Sequence, residues 1–382
     1  MLIFVLGGLS AYSFFNIGRI SNLQGSDKSK SIGEAWEDEI GADSSWIVSL
    51  SCLLTPLGAA LTYSIILGDM LSSLAQSAGL TGILARRQTS ILGITAAVLY
   101  PLCNLSSLAA LAPVSMIGVI GMVFTSLFMV FRAIPGGAYC AATGGSFLST
   151  LAPALQPSFG VIGNNAYSAS ILILVSMAAT AYLAHFSAQD FYDGLKEKTV
   201  KKFGVLTSLG FGIAALMNVI IMSAGFLTFG GNCKGMVLNN YSAKDIGATI
   251  SRMIVTISLI GSYPIFMGAV KSSFYELFMK GKKVSERMNK IVTTTLLGAL
   301  TSAALVLKDA GLMVSLSGAA LGSAIIYIFP SLIYLKLTKR LIAEGKMKNT
   351  VSVKAERVFN KFLAVLGVAL GILGTGVTLG VV

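Results

Sequence analysis

The sequence predicts an all-α integral membrane protein with ten transmembrane helices, and three features support this. Of the 382 residues, 54% are hydrophobic and only 12% are charged, with a mean hydropathy of +0.80. Soluble domains carry about twice that share of charge. The apolar residues form long runs close to the ~20 residues that a helix needs to cross the hydrocarbon core. The basic residues lie in short segments between these runs.

Ten apolar stretches reach or approach the required length. They are 1–19, 46–72, 90–105, 114–131, 168–185, 204–229, 246–270, 291–307, 310–335 and 359–382. The third is short and contains Pro101 and Asn104, and only Lys308 and Asp309 separate the eighth from the ninth. The gaps leave no room for a soluble domain, so 1–382 forms a single transmembrane domain.

The basic residues predict the orientation. Connections after odd-numbered helices hold 21 of the 28 Lys and Arg residues, and those after even-numbered helices hold six. The positive-inside rule therefore places the odd connections in the cytoplasm and both ends of the chain outside. A signal peptide would explain the abrupt start, but Met1 is followed by no basic segment. We expect instead that a further helix precedes residue 1.

Two connecting segments have distinct features. Residues 25–43 are acidic, and Ser31 with Glu34 predicts a capped amphipathic helix carrying Trp36 as an interfacial anchor; a solvated loop is the alternative. The outside loop 132–167 contains Cys140, which an oxidising compartment would allow to pair with Cys233. Asn240 begins a glycosylation sequon on the same side.

The composition argues against an enzyme. The chain has one histidine, four cysteines and scattered acids, which supply neither metal ligands nor a nucleophile with its base. Its net charge of +12 follows from topology, so nucleic acid is not expected as a partner. No cofactor is expected, apart from Na⁺ as a coupling ion. The sequence does not determine the oligomeric state.

Polar residues at membrane depth are costly and mark candidate sites. Asp69, Arg252 and Lys308 could reach the interface, with Arg252 snorkelling outward. His185 ends a stretch rich in small and hydroxyl residues, 176–185, which could unwind and present backbone groups to a polar ligand. The alternative is that His185 caps its helix at the cytoplasmic end.

The seventh helix carries a candidate ion site. Ser258, Gly261 and Ser262 share one helical face because they are three and four residues apart. Hydroxyl and carbonyl oxygens suit a hard cation such as sodium. The same small residues would also allow close helix packing, which spacing alone favours.

Several segments, taken in order, resemble the amino acid/auxin permease family, which includes the sodium-coupled neutral amino acid transporters. The matching segments are 9–14, 58–63, 67–69, 181–185, 191–192, 195–196, 226–230, 235, 238–241, 263–264 and 270–273. The stretch Phe226–Gly230 followed by Leu238–Tyr241 is the most specific of these.

The resemblance implies a leucine-transporter-like fold of inverted repeats that here lacks its first helix. It implies secondary active transport of amino acids, coupled to sodium or protons, in a plasma or endolysosomal/vacuolar membrane. Substrate would lie beside Ser176, Thr180, Ala181 and His185, and Ser262 would match a sodium-binding hydroxyl. The alternative function is a non-transporting sensor or scaffold, or an inactive truncated product. A groove lined by 176–185 and 258–262 is expected where the absent helix would lie.

Overall fold

The computed structural model describes residues 1–25, 31–105, 112–160, 171–279 and 284–381. Within these ranges the regular structure is helical, with one isolated bridge between Ser158 and Gly230 and no β-strand. The α-helices are α1 Leu2–Gln24, α2 Ile32–Glu39, α3 Ser45–Ser77, α4 Arg87–Ile94, α5 Tyr100–Cys103, α6 Ala112–Arg132, α7 Ile171–Ala181, α8 Ala188–Asp193, α9 Val200–Phe229, α10 Ile246–Phe278, α11 Glu286–Val306, α12 Ala310–Leu316, α13 Phe329–Ala343 and α14 Val351–Thr378.

Eight helical segments of the described chain are long and apolar enough to cross a membrane. They are Leu2–Gln24, Ala42–Ser77, Ile171–Asp193, Val200–Phe229, Ile246–Phe278, Glu286–Val306, Ala310–Ala343 and Val351–Thr378. Each corresponds to one of the ten predicted spans, although the predicted positions 168–170 and 382 lie outside the described residues. These eight spans make the chain a multi-pass integral membrane protein.

The remaining two predicted spans are also helical. The segment predicted at 90–105 forms α4, a π-helical turn over Thr95–Leu99, and α5. The segment predicted at 114–131 lies in α6, Ala112–Arg132. The structure therefore supports eight full-length spans and leaves the predicted total of ten open.

The hydropathy pattern predicted the end of the first helix too early in the chain and the start of the last helix too late. The first helix extends to Gln24 rather than 19, and the last begins at Val351 rather than 359. The reason is an ion pair between the two helices, in which Arg19 Nη2 lies 2.9 Å from Glu356 Oε2. Because these charges are paired, the helices continue past the positions where an unpaired charge would have marked their ends.

The spans pack in two main groups. In one, α10 packs along α3 and α6, with buried Ala60, Leu67, Tyr263 and Met267 between the helices. In the other, α1 packs along α9, and α14 packs against α7 and the ninth span. That ninth span contains two π-helical segments, Ser317–Gly322 and Ala324–Ile328, between α12 and α13.

One end of the bundle, which we call the inner end, carries α2 and the basic connections. Arg340 of α13 pairs with Glu39 of α2 at 2.6 Å. The Tyr192 hydroxyl donates to Asn22 at 3.1 Å, and Lys271 donates to the carbonyl of Cys103 at 2.9 Å. These contacts place segments predicted as cytoplasmic at one end of the molecule.

The helix α2 has the predicted capping box. The Ser31 hydroxyl accepts from the Glu34 amide at 3.1 Å, and the Glu34 carboxylate accepts from the Ser31 amide at 2.9 Å. The interfacial position predicted for Trp36 is wrong. Its ring is 9% exposed, packs edge-on against Phe329 and donates to Ser44, so it belongs to the core under α2.

The opposite end, which we call the outer end, carries 133–160 and 230–245. Asp245 is fully buried and accepts from Arg132 at 2.8 Å and from the Tyr139 hydroxyl at 3.1 Å. Burial of the Tyr139 phenol and the adjacent Asp245 carboxylate raise the pKa of that phenol. This cluster fixes the loop after α6 against the start of α10.

Two modifications predicted at the outer end do not fit the structure. Asn240 is fully buried, its amide donates to the carbonyl of Asn232 at 2.8 Å, and its side-chain oxygen accepts from Lys234. The nitrogen that would carry a glycan is therefore engaged, and the folded protein does not present this sequon at its surface.

The predicted Cys140–Cys233 disulfide is not formed, and both thiols are free. The Cys140 thiol interacts within its own turn, with Thr143. The Cys233 thiol instead lies against α9 at Gly225, so the two sulfurs face different neighbours.

Candidate functional site

The fifth membrane span is interrupted. The helix α7 ends at Ala181 and α8 begins at Ala188, with a short 3-10 turn over His185–Ser187 between them. The sequence predicted that 176–185 could unwind; residues 176–181 are helical, and the break at 182–187 begins inside the predicted helix 168–185 and extends two residues beyond it. The amides of Tyr182, Leu183, Ala184 and Ser187 still donate to nearby carbonyls, so turns replace the regular helical hydrogen bonds across the break.

His185 lies inside this interruption and is fully buried. Its Nε2 lies 3.0 Å from the carbonyl of Ser10 in α1, and its ring lies edge-on to Phe14 and Phe211. The Nδ1 atom has no hydrogen-bond partner in the described chain. His185 therefore joins the break to α1, and its side chain bonds this neighbouring helix rather than capping the end of its own.

A polar cavity of about 490 Å³ begins beside α8. It lies between α2, α3, α8 and α10 at the inner end, and Phe186, Cys52 and Ile265 form its apolar walls. Its polar lining includes Ser31, Ser49, Gln189, Asp190, Ser273 and Glu276. A cavity of this size can hold a small polar molecule with its hydration water.

Glu276 joins two walls of this cavity. Its Oε1 accepts hydrogen bonds from Ser31 at 3.1 Å and from Ser49 at 3.0 Å, which ties α10 to α2 and α3. Gly33 allows this approach, because a Cβ there would lie 2.6 Å from both Glu276 Oε1 and Ser49 Oγ. Any side chain at position 33 would displace these groups.

Sequence reasoning missed this cluster because it used the connection after the seventh helix only for its basic residues, as evidence for orientation. The missed signal was periodicity. Positions 258, 262, 265, 269, 272 and 276 recur every three or four residues, so they lie on one face of α10. The hydroxyl face found in the seventh helix therefore continues into the cavity.

The three predicted ion-site residues lie above the cavity on α10. Ser258 Oγ packs against α6, since a Cβ at Gly118 would lie 2.4 Å from it. Gly261 is buried and Ser262 is half-buried. The helix remains continuous through Pro264. Ser258 thus takes part in helix packing, whereas Ser262 is closest in sequence to the cavity-lining Ile265.

Two predicted substrate residues instead pack between helices. A Cβ at Gly374 of α14 would lie 2.6 Å from Ser176 Oγ, and Thr180 donates to the carbonyl of Val314 at 2.6 Å. The groove predicted along 176–185 is therefore filled at these positions by the ninth and tenth spans. Ala181 differs, because it is exposed and lines a small apolar pocket between α1 and α9.

The outer end is closed by an ionic cluster around Asp69. Its carboxylate accepts from Arg87 at 2.7 Å and from Asn239 at 3.2 Å. Arg87 also donates to the carbonyls of Ala304 and Leu307 at the end of α11. The cluster joins α3, α4, α11 and the outer loop. Asp69 therefore holds these elements together, in addition to reaching the end of its helix.

Arg252 closes the same end from α10. It is 2% exposed, and its guanidinium donates to the carbonyls of Leu238 at 2.8 Å, Tyr241 at 2.5 Å and Ser242 at 3.4 Å. The predicted outward snorkelling is therefore wrong. Backbone oxygens of the outer loop replace water around the charge, which makes its burial tolerable.

The known proteins that this chain resembles are amino acid transporters. The sequence model described as transmembrane amino acid transporter protein matches residues 1–377. The chain is 24% identical over 373 residues to "Putative sodium-coupled neutral amino acid transporter 11" of Danio rerio, covering 97% of this chain and 79% of that protein. It is also 24% identical over 392 residues to "Amino acid transporter AVT6E" of Arabidopsis thaliana, covering 98% of this chain and 75% of that protein.

Proposed function

Because the chain belongs to the family of transmembrane amino acid transporters, we propose that it moves amino acids across a membrane by alternating access, coupled to sodium. The observation that carries the proposal is the interruption of the fifth span at 182–187, directly above a polar cavity. A transport site needs an irregular backbone near the substrate and a polar path to one side, and a broken span beside a polar cavity supports the proposal.

In this proposal, the structure is the state of the cycle that is open toward the inner end. The cavity lies at that end beside Glu276 and Asp190. The outer end is closed by the Asp69–Arg87 pair and by Arg252 on its loop carbonyls. In the proposed cycle, transport requires these outer contacts to separate while the inner cavity narrows.

The substrate is proposed to be a neutral amino acid. Its ammonium group would find carboxylate and hydroxyl oxygens at Glu276, Asp190 and Ser49 along the exit path. Its carboxylate would lie where the broken span meets the cavity at Phe186 and Ser187, with His185 behind them in the break. The apolar walls at Phe186 and Ile265 favour an uncharged side chain.

The coupling ion is proposed to be held by the α10 face at Ser258, Gly261 and Ser262. Ser262 is the principal candidate because Ser258 already packs on α6. Pro264 has no amide to donate to the carbonyl of Ile260, so this oxygen is available as a further ligand. The broken fifth span also fits a leucine-transporter-like, ten-helix arrangement, which we propose as the fold.

The test is uptake of a radiolabelled neutral amino acid into proteoliposomes containing the purified chain, with sodium or choline outside. We expect sodium-dependent uptake. Ser262→Ala should raise the sodium concentration needed for half-maximal uptake about tenfold, and Ser262→Thr should preserve it because it keeps the hydroxyl. Ser302→Ala, which removes an exposed hydroxyl from α11, is the matched control.

The outcomes separate the components of the proposal. Uptake that responds to a pH gradient but not to sodium would contradict sodium coupling. An unchanged sodium requirement in Ser262→Ala would remove Ser262 from the ion site. Absence of uptake with every neutral amino acid, from correctly folded protein, would contradict transport itself.

A further inference from the structure

A long apolar groove runs between α1 and α9 along the lateral surface of the helix bundle. Its volume is about 780 Å³, and its lining is almost entirely apolar. Aromatic rings of Phe4, Phe15 and Phe211 form parts of its walls. The groove is separate from the polar cavity at the inner end and shares no lining residue with it.

Glycines on both walls keep this groove open. Gly8 in α1 and Gly212 in α9 are exposed, and a Cβ at either would meet no atom of the described chain within 4 Å. By contrast, a Cβ at Gly18 would lie 2.4 Å from the Phe203 ring, so that glycine is required for helix packing. Glycine weakens a helix relative to alanine. Gly8 and Gly212 therefore lower helix stability, although no neighbour in the described chain requires their small size.

A lysine stands at the inner mouth of the groove. Lys201, on the first turn of α9, is the one charged residue of its lining. Among the described residues it forms no ion pair, whereas its neighbour Lys202 pairs with Glu197. The groove extends along α9 from Lys201 to Ala215, which is roughly 21 Å of helix. One leaflet of hydrocarbon is about 15 Å thick.

We propose that this groove binds one anionic phospholipid of the inner leaflet. The phosphate lies at Lys201, and one acyl chain lies along the glycines toward Phe4. The arrangement matches a lipid in three respects: a cation at the headgroup level, an apolar channel longer than a leaflet, and glycines on both walls that leave room for the acyl chain. Anionic lipids are concentrated on the cytoplasmic leaflet, where the positive-inside rule puts Lys201.

The test compares lipid retention by native mass spectrometry and thermal unfolding of the purified protein in detergent, with added phosphatidylglycerol or phosphatidylcholine. We expect one tightly retained phosphatidylglycerol per chain and a rise in melting temperature larger than phosphatidylcholine produces. Lys201→Ala should reduce the preference for phosphatidylglycerol at least fivefold. Gly8→Leu and Gly212→Leu should fill the groove from opposite walls and reduce retention of both lipids.

Matched controls test the location of the site. Lys202→Ala removes a neighbouring charge already paired with Glu197, and Gly298→Leu adds the same side chain at an exposed α11 glycine whose Cβ would also meet no described atom within 4 Å. Both controls should bind lipid as the parent does. If Lys201→Ala and Lys202→Ala lose the preference for phosphatidylglycerol equally, it comes from the basic charge of this connection as a whole. That result would overturn the proposal. Cross-linking of two chains through cysteines at positions 8 and 212 would overturn it in favour of a second copy.

Discussion

The guanidinium of Arg340 makes a two-point ion pair with the carboxylate of Glu39, 301 residues away in sequence. Arg340 Nε lies 3.1 Å from Oε2, and Nη2 lies 2.6 Å from Oε1. The Glu39 side chain is only 2% exposed. The pair anchors the end of α2 to α13, and Ser31 anchors its start to Glu276 of α10. Held at both ends, α2 forms a wall of the inner cavity.

Breaking this pair should loosen α2 without unfolding the bundle. For Arg340→Ala we expect faster backbone hydrogen exchange at residues 32–39, with other helices unchanged. A double-mutant cycle with Glu39→Gln should give a coupling of about 1 kcal/mol, since the arginine is partly exposed to solvent. Lys339→Ala, an exposed neighbour with no ion pair in the described chain, is the control. Unchanged exchange in 32–39 would mean that α2 is held by packing alone.

His185 should be important for stability because its contacts join the fifth span to α1. His185→Ala removes a buried ring and the second hydrogen bond to the Ser10 carbonyl, so we expect a loss of roughly 3 kcal/mol, mostly from lost packing. His185→Phe keeps the packing against Phe14 and Phe211 but cannot donate. Thermal unfolding in detergent micelles measures both. If His185→Phe is as stable as the parent, the hydrogen bond to Ser10 contributes nothing.

The outer loop provides a direct test of the buried sequon. Since Asn240 is buried and hydrogen-bonded, we expect no glycan there when the chain is expressed in a eukaryotic cell. Glycosidase treatment should leave its electrophoretic mobility unchanged. Asn240→Ala should lower the melting temperature, because the Asn232 carbonyl and the Lys234 amide lose their partner. A band that shifts on treatment and is absent in Asn240→Gln would contradict the placement.

The two outer cysteines should react at different rates. Hydrogen bonds from Thr143 and neighbouring amides stabilise the thiolate and lower the pKa of Cys140, whereas desolvation against α9 raises the pKa of Cys233. At any pH below both pKa values, Cys140 therefore holds the larger thiolate fraction. We expect maleimide to modify Cys140 first at pH 7, with Cys140→Ser and Cys233→Ser identifying the sites.

The same labelling also tests the disulfide. Both thiols should react without prior reduction, because the structure leaves both free. Labelling of this pair only after addition of a reductant would show that a disulfide forms. A faster reaction at Cys233 than at Cys140 would contradict the pKa order.

The spans were predictable from sequence because apolar length is a strong and local signal. The boundaries at Gln24 and Val351 were not, since Arg19 and Glu356 offset each other only once the helices pack together. The break after Ala181 was foreseen from small and hydroxyl residues. The role of Glu276 was not, because its partners Ser31 and Ser49 lie more than 220 residues away.

Other local sequence patterns were ambiguous because their meaning also depends on residues that are distant in sequence. Ser176 and Thr180 share the small, hydroxyl-rich composition of a binding surface, yet their neighbours are glycines of other spans. The same pattern also occurs where a helix packs closely against the glycines of another helix. Only the tertiary structure distinguishes such a packing contact from a binding surface. The sequon at Asn240 shows the same limit, since its sequence is intact but its amide is buried.

The burial of Arg252 has a consequence for how the chain is made. An arginine entering the bilayer without partners disfavours insertion by about 2.5–3.5 kcal/mol at the centre of a helix. Its three carbonyl partners precede it by only 10 to 14 residues, so they leave the ribosome just before it does. Residues 238–252 therefore carry the charge and these three carbonyls in one short segment, so the shielding of Arg252 needs no contact from a distant part of the sequence.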